Sequence, residues 1–255
     1  MTRAHWIELV SITALCGVLT ALGSLYAGVW GWSWDALNHH VYLGLISEAP
    51  RWHLDVTAAS VQGWQYPYLY WPVYRLTLLP VHGAIAGALW AALLCALIVP
   101  PVWLTSLRLL PRLDDTPKGA IQAGFERSAA CAMALLSVVV LSSLGTTAND
   151  PLAAVPLLWA VALMTVPAPT NQRAAVAAAL WGVSTAFKLS NALAIPLLLV
   201  WWWRGPGWPL PLRRGLGVCV GALVGYTAAY APWGWQLWQQ MGNPFYPFFQ
   251  SVFGS

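Results

Sequence analysis

The stretch from Ala174 to Trp203 is thirty residues of nearly continuous apolar sequence, interrupted by "KLSN" at 188–191. As one helix it would be about 45 Å long, against a bilayer hydrocarbon core of about 30 Å. It would also bury Lys188 near the bilayer centre, a costly position for an ammonium group. Two short helices meeting at Lys188 would each cover about 21–23 Å. That length suits a thin membrane or a hairpin inside a cavity lined by protein. Charge arbitrates in favour of the hairpin. It sends Arg3, Arg108, Arg112, Lys118, Arg127, Arg173, Arg204, Arg213 and Arg214 to one side of the membrane, and only Arg51, Arg75 and Lys188 to the other. Such asymmetry follows the positive-inside rule, whereas a single helix would carry Arg213 and Arg214 outside.

The rest of the chain agrees with a membrane protein. Apolar residues make up 59% and charged residues 8%, where a soluble domain is charged at about a quarter of its positions. The net charge of +4 is spread over short loops without a basic stripe, which excludes a nucleic-acid surface. Cys16, Cys95, Cys131 and Cys219 all lie inside apolar runs and read as small apolar residues. The run from Ile7 to Val29 is too long for the core of a signal peptide and reads as a retained first helix.

The expected architecture is an all-α polytopic membrane protein, a single module over residues 1–255. Seven crossings are expected at about 7–30, 83–106, 128–145, 151–167, 174–187, 189–203 and 215–232, the second bent at Pro100-Pro101. The N-terminus falls inside and the C-terminus outside. Tryptophans collect at the expected outer ends (Trp30, Trp32, Trp34, Trp233, Trp235, Trp238) and inner ends (Trp103, Trp201, Trp202, Trp203), where each reads as an interface anchor.

This layout sorts the eight acids. Glu8, Asp114, Asp115 and Glu126 fall inside and read as a solvated set among Arg and Lys. Asp35, Glu48, Asp55 and Asp150 fall outside. The first outer loop spans about 32–81, far longer than the other connections, and long loops in compact folds usually carry function. Its opening, "SWDALNHHVY", suits a short interfacial helix with Ser33 as N-cap. At helical spacing Asp35, His39 and Tyr42 share a face, and His40 points sideways from it. Two readings of the histidines stand: one is hydrogen-bonded in the loop and the other lies at the headgroups, or His39 partners Asp35 or a phosphate. Asp150 precedes Pro151 and an apolar run, which suits an N-cap with proline at the first helical position, and a cap at a cavity rim can also touch a ligand. Lys188 either snorkels to the outer interface or offers its charge to an anion where the helices break.

The motifs "WDALNHHVYLGL", "YPYLYWPVYRL", "TTANDPLAAVPLLWAVAL", "FKLSNALAIPLLL" and "GNPFYPFFQSVFGS", in this order, resemble those of the integral-membrane glycosyltransferases of the GT-C class, and the last two are similar to those of bacterial members. The resemblance implies a sugar taken from a polyprenyl-phosphate carrier outside the cytoplasm, at a bacterial plasma membrane, for a glycan, lipid or protein acceptor of the cell envelope. It implies that Asp35 is the catalytic base, that Asp150 is the second acidic position, and that Lys188 lies near the carrier's phosphate. Such enzymes are commonly longer, so the chain reads as a fragment, a truncated product or a minimal form of one.

Glycosyl transfer needs a base for the acceptor hydroxyl, a counter-charge for the phosphate, and exclusion of water. Asp35 supplies the first. Lys188, Arg51, Arg75, His39 or His40 supplies the second, and Asn149 and Asn191 complete the candidate substrate-binding set. One carboxylate base facing a good leaving group favours inversion; retention would require Asp35 and Asp150 close together. No cofactor is expected. A divalent metal is not favoured, because no Asp-x-Asp or Glu-x-Asp stands on the outer side, although Asp35, Asp150 and His39 are the residues that would assemble such a site. Two rivals remain: a transporter of lipid-linked sugars, against which stands the absence of an internal repeat, and a non-catalytic membrane partner.

Overall fold

A computed structural model describes residues 1–28, 30–31, 33–56, 59–110, 117–203 and 212–254. Arg112, Asp114, Asp115, Arg204 and Trp32 lie outside the described residues. Those described form helices and turns, with no strand; one isolated bridge joins Gly31 to Thr146. Three helices are long and apolar enough to cross a membrane: α1 (Arg3–Ala27), α4 (Gly83–Leu109) and α10 (Leu212–Met241). The protein is therefore a helical, membrane-associated chain. Between α1 and α4 lie two short helices, α2 (Val41–Ile46) and α3 (Trp71–Thr77). After α4 come α5 (Pro117–Leu135), α6 (Val138–Ser143), α7 (Asp150–Met164), α8 (Asn171–Phe187) and α9 (Pro196–Trp203); α11 (Gln250–Phe253) follows α10.

Side-chain contacts set the directions of these helices. Glu8 meets Trp103, and Gly87 approaches Ser24 and Trp30, so α1 and α4 run antiparallel. Ser184 Oγ donates to Ala153 O at 2.7 Å, while Ala160 and Met164 pack with Ala174 and Ala178, so α7 and α8 are also antiparallel. Helices α8 and α10 run parallel and very close. A Cβ on Gly221 would collide with the backbone of Ala175, and one on Gly225 with Ala179 O. Small residues spaced four apart let two backbones meet in this way.

Lys188 turns the chain. Its extended backbone (φ −150°, ψ 115°) ends α8, and a 3₁₀ turn at Leu189–Ala194 leads into α9. The return leg folds back along α8, for Trp181 Nε1 donates to Asn191 O and Trp201 packs with Ala174 and Ala177. The far end is closed by Arg214, which is buried and donates to Trp201 O and Pro169 O at 2.9 Å each.

Several expectations need correction. The helix expected at 128–145 begins at Pro117 and stops at Leu135; Ser137 then takes an extended conformation and its side chain caps α6 by accepting from Val140 N. The crossing expected at 83–106 is α4, which holds Pro100 and Pro101 inside it and continues to Leu109. Trp30, Trp103, Trp201 and Trp233 are buried in the packing instead of anchoring an interface, while Trp34, Trp203, Trp235 and Trp238 are exposed. Trp103 is fully buried because its indole N–H has a carboxylate partner, Glu8, at 2.9 Å. Glu8 is not a solvated acid either. It takes a two-pronged pair from Arg127, with Nε and Nη2 both 2.6 Å from its oxygens.

Candidate functional site

The site begins where α1 ends. Gly28 adopts the left-handed conformation (φ 74°), and its N–H closes the helix on Ser24 O and Leu25 O. Two residues on, Trp30 enters the core around α4, and Gly31 N donates to Gly145 O at 2.6 Å. This bridge lays the start of the long loop beside the segment that leads into α7. Ser33 Oγ accepts from Ala36 N at 3.1 Å, so Ser33 caps the next turn as expected. That turn is a π-helix over Ala36–His40, with Val41 N bonded to Ala36 O. Such wide turns occur mostly as single insertions and frequently at functional sites.

The π-turn alters the expected direction of the histidines. Both are buried, at 2% exposure for His39 and 7% for His40, and their rings meet edge to face with centroids 4.4 Å apart. Both rings therefore sit inside the packing, in contact with each other. His40 Nδ1 shares a hydrogen bond of 2.7 Å with Thr147 Oγ1, and its ring stacks on Tyr70 at 4.7 Å. Burial, followed by the neighbouring His39, pushes the His40 imidazole down to about 4, so it is neutral near pH 7. Burial also lowers His39, against the opposing pull of Asp35. His39 Nδ1 has no hydrogen-bond partner among the described residues, and Asp35 Oδ1 stands 3.8 Å from it. Tyr42 packs instead into the aromatic cluster with Leu43, Ile46 and Trp233.

Tyr70 closes the floor. Its hydroxyl donates to Gln65 Oε1 at 3.2 Å and is hydrogen-bonded with Asn149, while burial pushes its pKa well above the usual phenol range, so it stays protonated. Gly44 permits this, because α2 rests directly on the Tyr70 backbone. The α2–α3 pair is further tied by Glu48, whose Oε1 takes Trp71 Nε1 and Arg75 Nε, both at 2.5 Å.

Over this buried floor stand the charged groups. The Asp35 side chain is 49% exposed. Asp150 opens the first turn of α7 and is not its cap; the cap position is Asn149, which is buried and makes no side-chain cap bond. The Asp150 carboxylate instead receives the Lys188 ammonium, with both side chains partly exposed. His40 lies within electrostatic range of Asp35, Asp150 and Lys188 together. Asn191 faces inward, donating to Ser184 Oγ at 2.9 Å and to Ser184 O and Ala153 O at 3.2 Å each, which makes it a stitch between the turn, α8 and α7.

Arg51 does not join this group. It pairs with Asp55 at 3.0 Å within its own loop, and Arg75 is committed to Glu48 and the Trp71 face. Among the described residues no three His, Cys, Asp or Glu side chains converge as metal ligands. Thr147, Tyr70 and Gln65 were not among the expected site residues. Thr147 and Tyr70 lie inside motifs singled out from the sequence, yet they stand 107 and 30 positions from His40, beyond any local spacing. The arrangement offers a half-exposed carboxylate, a second carboxylate holding a lysine, and a buried floor of two imidazoles and a phenol. The chain matches no family model, no curated protein and no solved structure.

Proposed function

We propose that the protein is a GT-C-like membrane glycosyltransferase that moves a sugar from a polyprenyl-phosphate carrier to an extracytoplasmic acceptor, with Asp35 as its base. In this reading the chain crosses a bacterial plasma membrane seven times with its N-terminus in the cytoplasm, and the bundle end carrying Asp35 faces outward. The observation that supports it most is the convergence of three distant segments: the Gly31–Gly145 and His40–Thr147 hydrogen bonds bring the turn that follows Asp35 to the segment before α7, and Asp150 at the start of α7 takes Lys188 from the turn after α8.

The chemistry runs as a single displacement. Asp35 takes the proton of the acceptor hydroxyl, and the acceptor oxygen attacks the anomeric carbon opposite the phosphate. The bond from that carbon to the phosphate oxygen breaks, its electron pair leaves on the phosphate, and the configuration inverts. Lys188 moves from Asp150 to meet the leaving charge. His39 stands beside Asp35 at 3.8 Å, within reach of the carboxylate by a small rotation, and the His40–Tyr70 stack keeps water from below.

The test is sugar transfer in proteoliposomes from polyprenyl-phosphate sugars to envelope acceptors, comparing wild type with Asp35→Asn. A positioned base contributes about 10²–10⁴-fold, so loss of that order with unchanged folding supports the reading. Equal transfer by both proteins removes Asp35 from the mechanism. No transfer by folded wild type removes the enzyme reading for this chain and favours a membrane partner.

A further inference from the structure

The opposite end of the bundle holds a groove of about 540 Å³ between α4, α5 and α7. Its walls include Pro101, Thr105 and Leu109 of α4, Phe125 and Met133 of α5, and Leu158 of α7. Phe125 and Met133 are largely exposed, so the groove opens sideways from the bundle along a membrane-length helix. An apolar trough in that setting fits a hydrocarbon chain.

Charge beside the groove, one residue outside its α4 and α7 walls, specifies the rest of the occupant. Arg108 lies on α4 between the wall residues Thr105 and Leu109 and donates to Ala162 O, next to the wall residue Val161. The Arg173 guanidinium, in the first turn of α8, is near enough for the two charges to repel. One hydrogen bond uses one of the five N–H donors of Arg108, leaving others for an anion. Glu126 lines the α5 wall and accepts from Gln122 Nε2 at 3.0 Å. Among the described residues, Arg108 and Arg173 stand beside the α4–α7 wall and Glu126 on the α5 wall, which favours a negative headgroup on the arginine side.

We infer that this groove binds an anionic phospholipid, with one acyl chain along α4 and α5 and its phosphate against Arg108 and Arg173. The site is separate from the Asp35 site and independent of the activity proposed for it. A phosphate there relieves the repulsion between the two guanidiniums and ties the ends of α4, α7 and α8 together, which stabilises the fold by mass action.

The experiment is thermal unfolding of the full chain in detergent with added phosphatidylglycerol or phosphatidylcholine of matched acyl chains. Wild type is compared with Arg173→Gln, which removes an exposed charge, and Ala130→Phe, which fills the groove. Phosphatidylglycerol is expected to raise the midpoint more than phosphatidylcholine in wild type. That difference should shrink in Arg173→Gln and vanish in Ala130→Phe. Equal effects of the two lipids, or a preference unchanged in both variants, overturn the inference. If Ala130→Phe does not fold, native mass spectrometry of Arg173→Gln and Arg108→Lys decides: fewer retained phosphatidylglycerol adducts than wild type support the site, and equal retention overturns it.

Discussion

Lys188 gives its ammonium to the Asp150 carboxylate, joining the turn after α8 to the first turn of α7 across 38 positions of sequence. The cation assigned to the carrier's phosphate is thus held by an acid that competes with the phosphate for it. Both side chains are a third to a half exposed, so the pair contributes no more than about 1 kcal/mol to stability. Its consequence is in binding. Lys188→Met is expected to weaken association with a polyprenyl-phosphate sugar by about tenfold, the scale of a hydrogen bond to a charged group. Asp150→Asn is expected to strengthen it, because the competitor is gone. Donor titrations of the two variants check this, and equal weakening by both would mean that the pair acts only as a brace.

His40 makes stability depend on pH. Its folded value is about 4 and its ordinary value 6.5, so between those limits the unfolded chain binds more protons than the folded one. Stability is fully present above about 6.5 and falls as pH drops toward 4, by roughly 3 kcal/mol in total. The titratable and charged groups around it are Tyr70, stacked on its ring, His39, Asp35, Asp150 and Lys188. Unfolding midpoints from pH 7 to pH 4.5 should show this loss in wild type and a smaller one in His40→Gln.

Gly44 should tolerate no side chain. A Cβ there would collide with Tyr74 Cβ and lie 2.7 Å from Tyr70 O, so Gly44→Ala must push α3 away. Overpacking of this kind costs about 1–3 kcal/mol. Because Tyr70 stacks on His40, the variant should also lose transfer activity beyond its loss of stability. Melting and activity measured together separate the two effects.

The pair between Glu8 and Arg127 joins α1 to α5, and Trp103 of α4 adds its indole to the same carboxylate. Removing one partner leaves a largely buried charge without its counterpart, which costs about 3–5 kcal/mol. Glu8→Gln and Arg127→Gln are each expected to lower the unfolding midpoint strongly. The double replacement by apolar residues of similar volume is expected to recover much of the loss, as read by thermal unfolding in detergent.

Much of this protein is local and therefore readable along the chain. Apolar runs of membrane length mark α1, α4 and α10, because hydrocarbon thickness sets how many residues a span requires. The break at Lys188 follows from the length of the apolar stretch and the cost of burying an ammonium, and the chain does turn there. Ser33 caps the turn that carries Asp35, since a cap is a contact between near neighbours.

Tertiary structure decided the rest. Whether His39 and His40 face one interior depended on a π-turn, and a single inserted residue in a helix leaves no mark on apolar periodicity. Arg51 and Lys188 look alike as outer cations, yet one pairs with its own loop and the other with Asp150, because only packing determines which acid lies within reach. The buried roles of Trp103, Arg214 and Glu8 likewise required partners far along the chain. Sequence by itself determines where a chain must be apolar, where it must turn and where it can be capped. Which polar groups meet across the bundle is settled only when helices such as α8 and α10 come close enough to bring their neighbours together.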